Sequence, residues 1–341
     1  MQTQLLNITP EALAQAGALI RSGQLVAFPT ETVYGLGANA LDADAVKRIF
    51  EAKGRPGDNP LIAHISAVGQ LRPLIAVEPS PMARALMDAY WPGPMTLIFP
   101  KSDAVPMAVT AGLDTVAIRY PAHPAARALI DAAQRPIAAP SANRSGRPSP
   151  TTAQHVLEDM DGRIPMILDG GPCDVGLEST VIDMTGDAPR ILRPGGITPE
   201  MIEAVCGAVR VDEAVMRPLK EGERPRSPGM KYRHYAPKGS LTIVQGEEKA
   251  VIDRICALYD AAEGHPLILA LDGHIPAYGE RQTLSLGSDA AGMAHALFDA
   301  LRQADDLGAD TLFSEAVPAD GMGLAVMNRL GRAAAFHIIE V

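Results

Sequence analysis

The chain has 341 residues, 47% of them hydrophobic and 4% aromatic, with a net charge of −10. That length predicts two domains, the composition fits neither a disordered nor a fibrous chain, and the acidity argues against a general nucleic-acid coat. The three cysteines, Cys173, Cys206 and Cys256, lie far apart, fit no zinc spacing and are odd in number, which suits a reducing cytosol better than a disulfide framework. No run approaches about twenty apolar residues, and residues 1–5 lack the charged start of a leader, so neither a membrane span nor a signal peptide is expected.

Thr9, Pro10 and Glu11 predict a helix start: an N-cap threonine, proline at the first helical position and an acid in the first turn. Leu13, Ala16 and Ile20 give this helix its apolar face, and Gly23 ends it. Residues 25–28 read as a strand that runs into Thr30, Glu31 and Thr32, hydrogen-bonding side chains at a strand end, where α/β proteins usually place ligands. Gly35, Gly37 and Ala40 match the pattern G-x-G-x-x-A. The strand is separated from the first glycine by residues 29–34, however, and Gly37 leads into a loop before an Asp42 cap, so a dinucleotide site is not expected.

Residues 44–52 carry Val46, Ile49 and Phe50 on one helical face. Gly54 takes the C-cap position and Pro56 and Pro60 forbid helix beyond it, leaving a stiff segment, 53–64, with Lys53, Arg55, Asp58, Asn59 and His64. This segment reads either as a solvated connecting loop or as cations held in fixed directions. Ser80 and Pro81 start a helix through Tyr90 that Trp91, Pro92, Gly93 and Pro94 stop. Strands follow at 96–99 and 115–119, the second ending in Arg119 after Val116, Ala117 and Ile118. A guanidinium at the end of a buried strand needs an anion, either a structural Asp or Glu or the carboxylate or phosphate of a ligand.

A helix from His123 and Pro124 to near Arg135, then a strand at 137–140, lead into a second polar loop, 141–151. Ser141, Asn143, Arg144, Ser145, Arg147 and Ser149 precede a helix capped by Thr151 or Thr152; these are the ingredients of a phosphate cradle, although Ser149 also suits a turn or cap. Residues 166–168 form a strand, and 178–183 with 190–195 a strand pair with charged ends, Arg193 among them. Thr198, Pro199 and Glu200 cap the last helix of this half, which Gly207 closes. Such an irregular order predicts a twisted, mixed sheet.

Residues 217–238 hold seven Lys/Arg against two Glu, so this segment is +5 and the remainder −15. With Pro218, Pro225, Pro228 and Pro237 and no apolar period it is a linker by composition, either a solvated spacer or a flap over an anionic ligand. From Leu241 onward, strands at 241–244, 267–271, 283–286 and 311–314 alternate with helices near 247–262, 289–305 and 322–335. This predicts a smaller, Rossmann-like α/β unit with a mainly parallel sheet, in which no chemistry can be read. Cations and hydroxyls recur at the strand ends of the first half: Lys53 with Arg55, Arg119, Ser141 with Arg144 and Arg147, and Arg193. A polyanionic small ligand bearing a carboxylate accounts for them together.

The stretches FPTETVYGLG (28–37), KGRPGDNPLIAH (53–64), WPGPMT (91–96), TVAIRYPAH (115–123), APSANRSGRPSPT (139–151), LESTVID (177–183) and ILRPGG (191–196) resemble YrdC-type threonylcarbamoyl-AMP synthases, in order and at family spacing. SPGMKYRHYAP (227–237), the α/β unit and GLAVMNRLGRAA (323–334) resemble the long, two-domain form of that family. Hydrogenase-maturation carbamoyltransferases share the YrdC-type domain but carry acylphosphatase and zinc-finger modules that are not seen here. The resemblance implies a catalytic domain with a concave active site over residues 1–216, a linker or active-site flap over 217–238, and a C-terminal α/β domain of unknown role over 239–341. It implies that L-threonine, bicarbonate and ATP yield L-threonylcarbamoyl-AMP and pyrophosphate, the first step towards N6-threonylcarbamoyladenosine in tRNA, in the cytoplasm. Mg2+ would arrive with ATP, held by no protein side chain, and no organic cofactor is implied. The product would pass to a separate tRNA threonylcarbamoyl transferase complex, with transient contact with that complex and with tRNA.

By motif position, L-threonine would contact Thr32, His64, Arg119, Ala139 and Ser179. ATP would contact Arg55, Asn59, Thr115, Ser141, Ser149, Arg193 and Tyr235, with His234 the alternative to Tyr235. Lys53 and Arg55 would neutralise charge that develops on the phosphates. Two other classes stay open: an RNA- or tRNA-binding module with the linker as its basic footprint, and an ATP-binding sensor without turnover.

Overall fold

The computed structural model describes residues 2–217 and 234–341, so most of the basic segment expected to act as linker or flap lies outside the described residues. The first part contributes strands β1 (Gln4–Asn7), β2 (Val26–Phe28), β3 (Gly35–Asn39), β4 (Ile62–His64), β5 (Met95–Pro100), β6 (Thr115–Arg119), β7 (Ile137–Ala139), β8 (Met166–Asp169), β9 (Thr180–Asp183), β10 (Arg190–Arg193) and β11 (Arg210–Val211). They form one mixed sheet in the order β1-β8-β2-β3-β7-β4-β6-β5-β9-β10-β11. Its helices are α1 (Pro10–Arg21), α2 (Ala43–Lys53), α3 (Pro81–Tyr90), α4 (Met107–Thr110), α5 (Pro124–Ala133), α6 (Ala153–Met160) and α7 (Pro199–Cys206).

Local chemistry explains where these helices start and stop. Thr9, Ser80, Thr152 and Thr198 cap α1, α3, α6 and α7 through their hydroxyls, three of them followed directly by proline. Gly54 closes α2 at φ 64°, a left-handed conformation that glycine adopts without a Cβ clash, and this fixes Lys53 as the last helical residue.

The glycine run 35–37 departs from the expected loop. It is β3, antiparallel to β2 and β7. A Cβ on Gly37 would sit 2.7 Å from Ile137 Cγ2 and 2.9 Å from Phe28 Cε1, so Gly37 makes room for neighbouring side chains. β1 and β4 were also not legible as strands, being short and, for β4, set among prolines and polar residues.

Alternation divides the sheet into two faces. Ala63, Ile118, Leu97 and Ile182 point into a core built with α2, α3, α6 and α7. On the other face, α1 and α5 pack on Val26, Phe28, Ile137 and Met166. Further along that face the helices give way to Ile62, Ala117, Ile98 and Val181, and there the sheet borders a cleft.

The second part has strands β12 (Ser240–Gln245), β13 (Pro266–Ala270), β14 (Thr283–Ser285), β15 (Thr311–Glu315) and β16 (Ile338–Glu340), all parallel, in the order β14-β13-β15-β12-β16. Helix α8 (Glu248–Ala261) covers one face, and α9 (Ala290–Asp306) and α10 (Gly321–Ala333) cover the other, turned towards the first part. β16 was not anticipated from the sequence.

The two parts meet through buried polar groups as well as apolar ones. Val33 and Leu177 of the first part join the apolar cluster of α9 and α10. Arg302 on α9 donates to Asp159 Oδ2 at 2.7 Å and to Pro148 O at 2.6 Å, and Arg332 on α10 donates to Ala214 O at 3.0 Å. Gly176, at φ 81°, brings its Cα so near α9 that a Cβ would lie 2.6 Å from Ala294 O and from His295 Cα. Gly37→Ala should lower stability by about 1–3 kcal/mol through overpacking against Phe28 and Ile137. Thermal denaturation reads this, and an unchanged midpoint would refute the packing role.

Candidate active site

The sheet register sets the site. β4 and β6 are parallel with His64 opposite Arg119, and β5 runs antiparallel to β6 with Thr96 opposite Arg119. Three polar side chains therefore form a row at the carboxyl ends of β4 and β6. Around it gather the loop after β2, the end of α2, the loop after β7 and the loop before β9. The open cleft between them is lined by Thr32, Lys53, Arg55, His64, Arg119, Ala139, Ser141, Ser179, Arg193, His234 and Tyr235, among others.

The remaining residues singled out from the sequence lie elsewhere. Asn59 is fully buried, and its carbonyl accepts from Arg55 Nη2 at 3.3 Å. Ser149 is buried behind the wall, donating to Glu178 Oε1 at 2.6 Å. Thr115 stands at the opposite end of β6 from Arg119, paired with Pro100 of β5.

Arg119 has the structural anion that the sequence left open. Its Nη2 lies 2.7 Å from Glu31 Oε1, both side chains buried, while Nη1 donates to Thr32 Oγ1 at 2.8 Å and Nε to Gly93 O at 3.3 Å. Burial would raise the Glu31 carboxyl, but Arg119 more than offsets it and holds the group below its usual value. The Nη1 and Nε hydrogen bonds engage two of the five N–H groups of a guanidinium, while Nη2 meets Glu31 as an ion pair. One further N–H on each terminal nitrogen suits a carboxylate that binds with both oxygens.

His64 is held as a neutral ring. Its Nδ1 lies 3.1 Å from Ile62 O and 3.3 Å from Ile137 O, so the proton belongs on Nδ1, and Nε2 is left as an acceptor. Burial first, and then the charge of Arg119, lowers its pKa to about 3. The ring also packs edge-on against Phe28, with centroids 6.1 Å apart.

The cations divide by role. Lys53 Nζ donates to Ser141 O at 2.6 Å and to Asn143 O at 2.5 Å, tying the end of α2 to the loop after β7, and Ser145 N donates back to Lys53 O at 3.0 Å. Burial, then Arg55, pushes this amine well below its ordinary pKa. Arg193 donates through Nε to Ser179 O and through Nη2 to Ser179 Oγ, both at 3.1 Å, and Ser179 Oγ is 2.7 Å from Thr96 Oγ1. Tyr235, at φ 63°, stacks on Phe298 of α9 with centroids 5.0 Å apart.

Reading the sequence missed Glu178, although it lies inside the stretch 177–183. Glu178 is among the residues that line the cleft, and its carboxylate takes Ser149 Oγ on one oxygen and Arg329 Nε of α10, at 2.8 Å, on the other. Burial alone would raise this group; Arg329, then Arg193 and Ser149, hold it down at about 2. Arg329 was missed as well. Its one signal was an arginine at a buried position of an apolar helical run, with Leu324, Ala325 and Leu330 as neighbours on the helix.

The chain is also similar to known proteins. A family model described as telomere recombination, that of Sua5, YciO and YrdC, matches residues 18–195, and a model of the threonylcarbamoyl-AMP synthase C-terminal domain matches residues 197–335. The chain is 50% identical over 329 residues to the threonylcarbamoyl-AMP synthase of Pyrococcus abyssi, covering 96% of this chain and 95% of that one. It is 49% identical over 341 residues to that of Bacillus subtilis, with 99% and 97% covered. The crystal structure of Pyrococcus abyssi Sua5 complexed with L-threonine superposes with a TM-score of 0.93 at 48% identity, covering 99% of this chain and 100% of that one.

The His64 environment has a pH signature. An unfolded histidine titrates near 6.5 and the folded ring near 3, so between those values the unfolded state binds the extra proton. Stability present above pH 6.5 is thus lost as the pH falls towards about 3. His64→Gln should flatten that fall by on the order of a few kcal/mol in urea titrations across the window. An unaltered slope would mean that the folded ring takes up the proton.

Proposed function

The chain belongs to the Sua5, YciO and YrdC family, as a threonylcarbamoyl-AMP synthase with the Sua5 C-terminal domain, and we infer from this premise how its cleft works. The enzyme joins L-threonine, bicarbonate and ATP into L-threonylcarbamoyl-AMP and releases pyrophosphate, the first step towards N6-threonylcarbamoyladenosine in tRNA. The observation that supports this placement best is the division of the cleft. One side holds a doubly anchored guanidinium beside a neutral imidazole acceptor, Arg119 and His64. The other holds cations and hydroxyls, Lys53, Arg55, Arg193 and Ser141.

We assign the first side to the amino acid. Arg119 takes the threonine carboxylate with its outer N–H groups, oriented by Glu31 and Thr32. His64 Nε2 suits an N–H or O–H of the amino acid, and Thr32, Ala139 and Ser179 complete the walls. The nucleotide belongs on the second side, with Arg55, Ser141, Arg193 and Tyr235 facing the cleft and Asn59 and Ser149 supporting it from behind. Thr115 takes part only if the nucleotide extends along β6. The amine of threonine is first carboxylated, and an oxygen of the resulting carbamate attacks the α-phosphorus, forming the new P–O bond as the bond to pyrophosphate breaks. In this account the protein contributes placement and positive charge rather than a dedicated general base.

Mg2+ enters with ATP as part of the substrate. The carboxylates nearest the reaction, Glu31 and Glu178, are each committed to an arginine, which suits a metal already bound by the triphosphate. Residues 1–216 act as the catalytic domain and 239–341 as its companion. No described helix is long and apolar enough to cross a membrane. We place the reaction in the cytoplasm, with the product handed to a separate transferase complex through transient contact with it and with tRNA.

Pyrophosphate release from Mg-ATP should require both threonine and bicarbonate. Arg119→Ala should reduce it by at least about a hundredfold, and Arg119→Lys should not restore it, because an ammonium cannot hold Glu31, Thr32 and a carboxylate in one plane. Release without threonine would mean another acceptor, and ATP binding without release would favour a sensor.

A further inference from the structure

A cleft that takes a triphosphate gains nothing from a carboxylate, yet Glu178 is an acidic wall residue, the one such side chain among the described residues lining the cleft. Its charge is absorbed from the other domain. Arg329 is fully buried, donates through Nε to Glu178 Oε2 at 2.8 Å, and approaches Glu178 O with Nη2 at 3.4 Å. Its Nη1 donates to Asn328 Oδ1 at 2.7 Å, so the guanidinium is committed within the wall and is not itself a lining residue. Arg193 lines the same cleft and donates through Nε to the carbonyl of Ser179, the residue after Glu178, at 3.1 Å, so the two charges lie on one wall and act on each other.

We propose that Arg329 is a positioning residue for the nucleotide: by holding the Glu178 carboxylate, the second domain keeps Arg193 from being neutralised inside the cleft. The inference rests on the assignment of the cationic side to ATP. Removing Arg329 leaves a buried carboxylate without its main partner, and it turns towards Arg193. The cleft then loses positive charge where the phosphates bind, while Arg119, Thr32 and His64, which serve threonine, keep all their contacts, and Ser179, which Arg193 holds, is the one threonine-side residue that the change reaches. A purely structural role for Arg329 predicts the opposite, a loss shared by both substrates.

The test uses the full chain and pyrophosphate release, titrating Mg-ATP and threonine separately. Arg329→Met should raise the KM for ATP at least about tenfold while that for threonine changes less than about twofold. Adding Glu178→Gln to Arg329→Met removes the stranded charge and should return the ATP value to within about threefold of the unmodified enzyme. Arg329→Lys should fall between the two.

Equal rises in both KM values overturn the proposal, as does failure of Glu178→Gln to restore ATP binding in a double variant that melts with the unmodified enzyme. Where Arg329→Met does not fold, Arg329→Lys with and without Glu178→Gln makes the same comparison. An unmodified enzyme that binds Mg-ATP without releasing pyrophosphate overturns the turnover assignment alone, and calorimetric ATP titration of the same variants then decides. An unmodified enzyme that does not bind Mg-ATP overturns both.

Discussion

Burying an ion in a protein interior is costly unless a partner of opposite charge and the right shape is buried with it. The region around the cleft is organised by that constraint. Arg119 is held by Glu31, Glu178 by Arg329, and Asp159 by Arg147 and Arg302. Apart from the local Arg147–Asp159 pair, each joins segments far apart in the chain, so the loops that wall the cleft are located by charge as much as by apolar packing. Lys53 follows the same logic with neutral partners, its amine resting on carbonyl oxygens of the loop after β7. What reaches the cleft is therefore a set of side chains whose inner contacts are already made and whose outer donors keep fixed directions.

Much of this could be read before any coordinates. Threonine and serine caps, prolines at first helical positions and the αL glycine after α2 located the helices, because each of these signals is local. The strand that ends in Arg119 was legible for the same reason, a short apolar run closed by a charge. The glycine strand β3 was not, since its logic lies in Phe28 and Ile137, which sequence order does not place beside it. The role of Lys53 shifted too. A lysine in a stiff polar segment reads as a charge on display, whereas its amine is largely occupied in holding backbone carbonyls. Arg302 and Arg329 were illegible in a stronger sense. On an amphipathic helix an arginine normally marks the solvent side, and only the docking of α9 and α10 against the first sheet turns those positions inward.

The second domain accordingly looks less like an appendage than its sequence suggests. It carries no lysine, nucleophile or nucleotide loop into the cleft, yet its helices supply Arg302 to the loop at Pro148 and Arg329 to Glu178, and Phe298 supports Tyr235. The family relationship and the geometry thus meet at one point. What the second domain brings to the cleft is a set of buried contacts, Arg302 on Pro148, Arg329 on Glu178 and Phe298 on Tyr235.

Gly176 gives that arrangement an evolutionary edge. Its backbone approaches α9 so closely that even a methyl group would collide with the main chain at Ala294 and His295. A wedge at this point would separate the helices that carry Arg302 and Arg329 from the loops that they steady. The two domains are therefore not modules that can drift independently and be recombined at will. In chains that carry both domains, exchange of one for that of a distant relative would succeed only where a bare backbone meets a bare backbone at this contact.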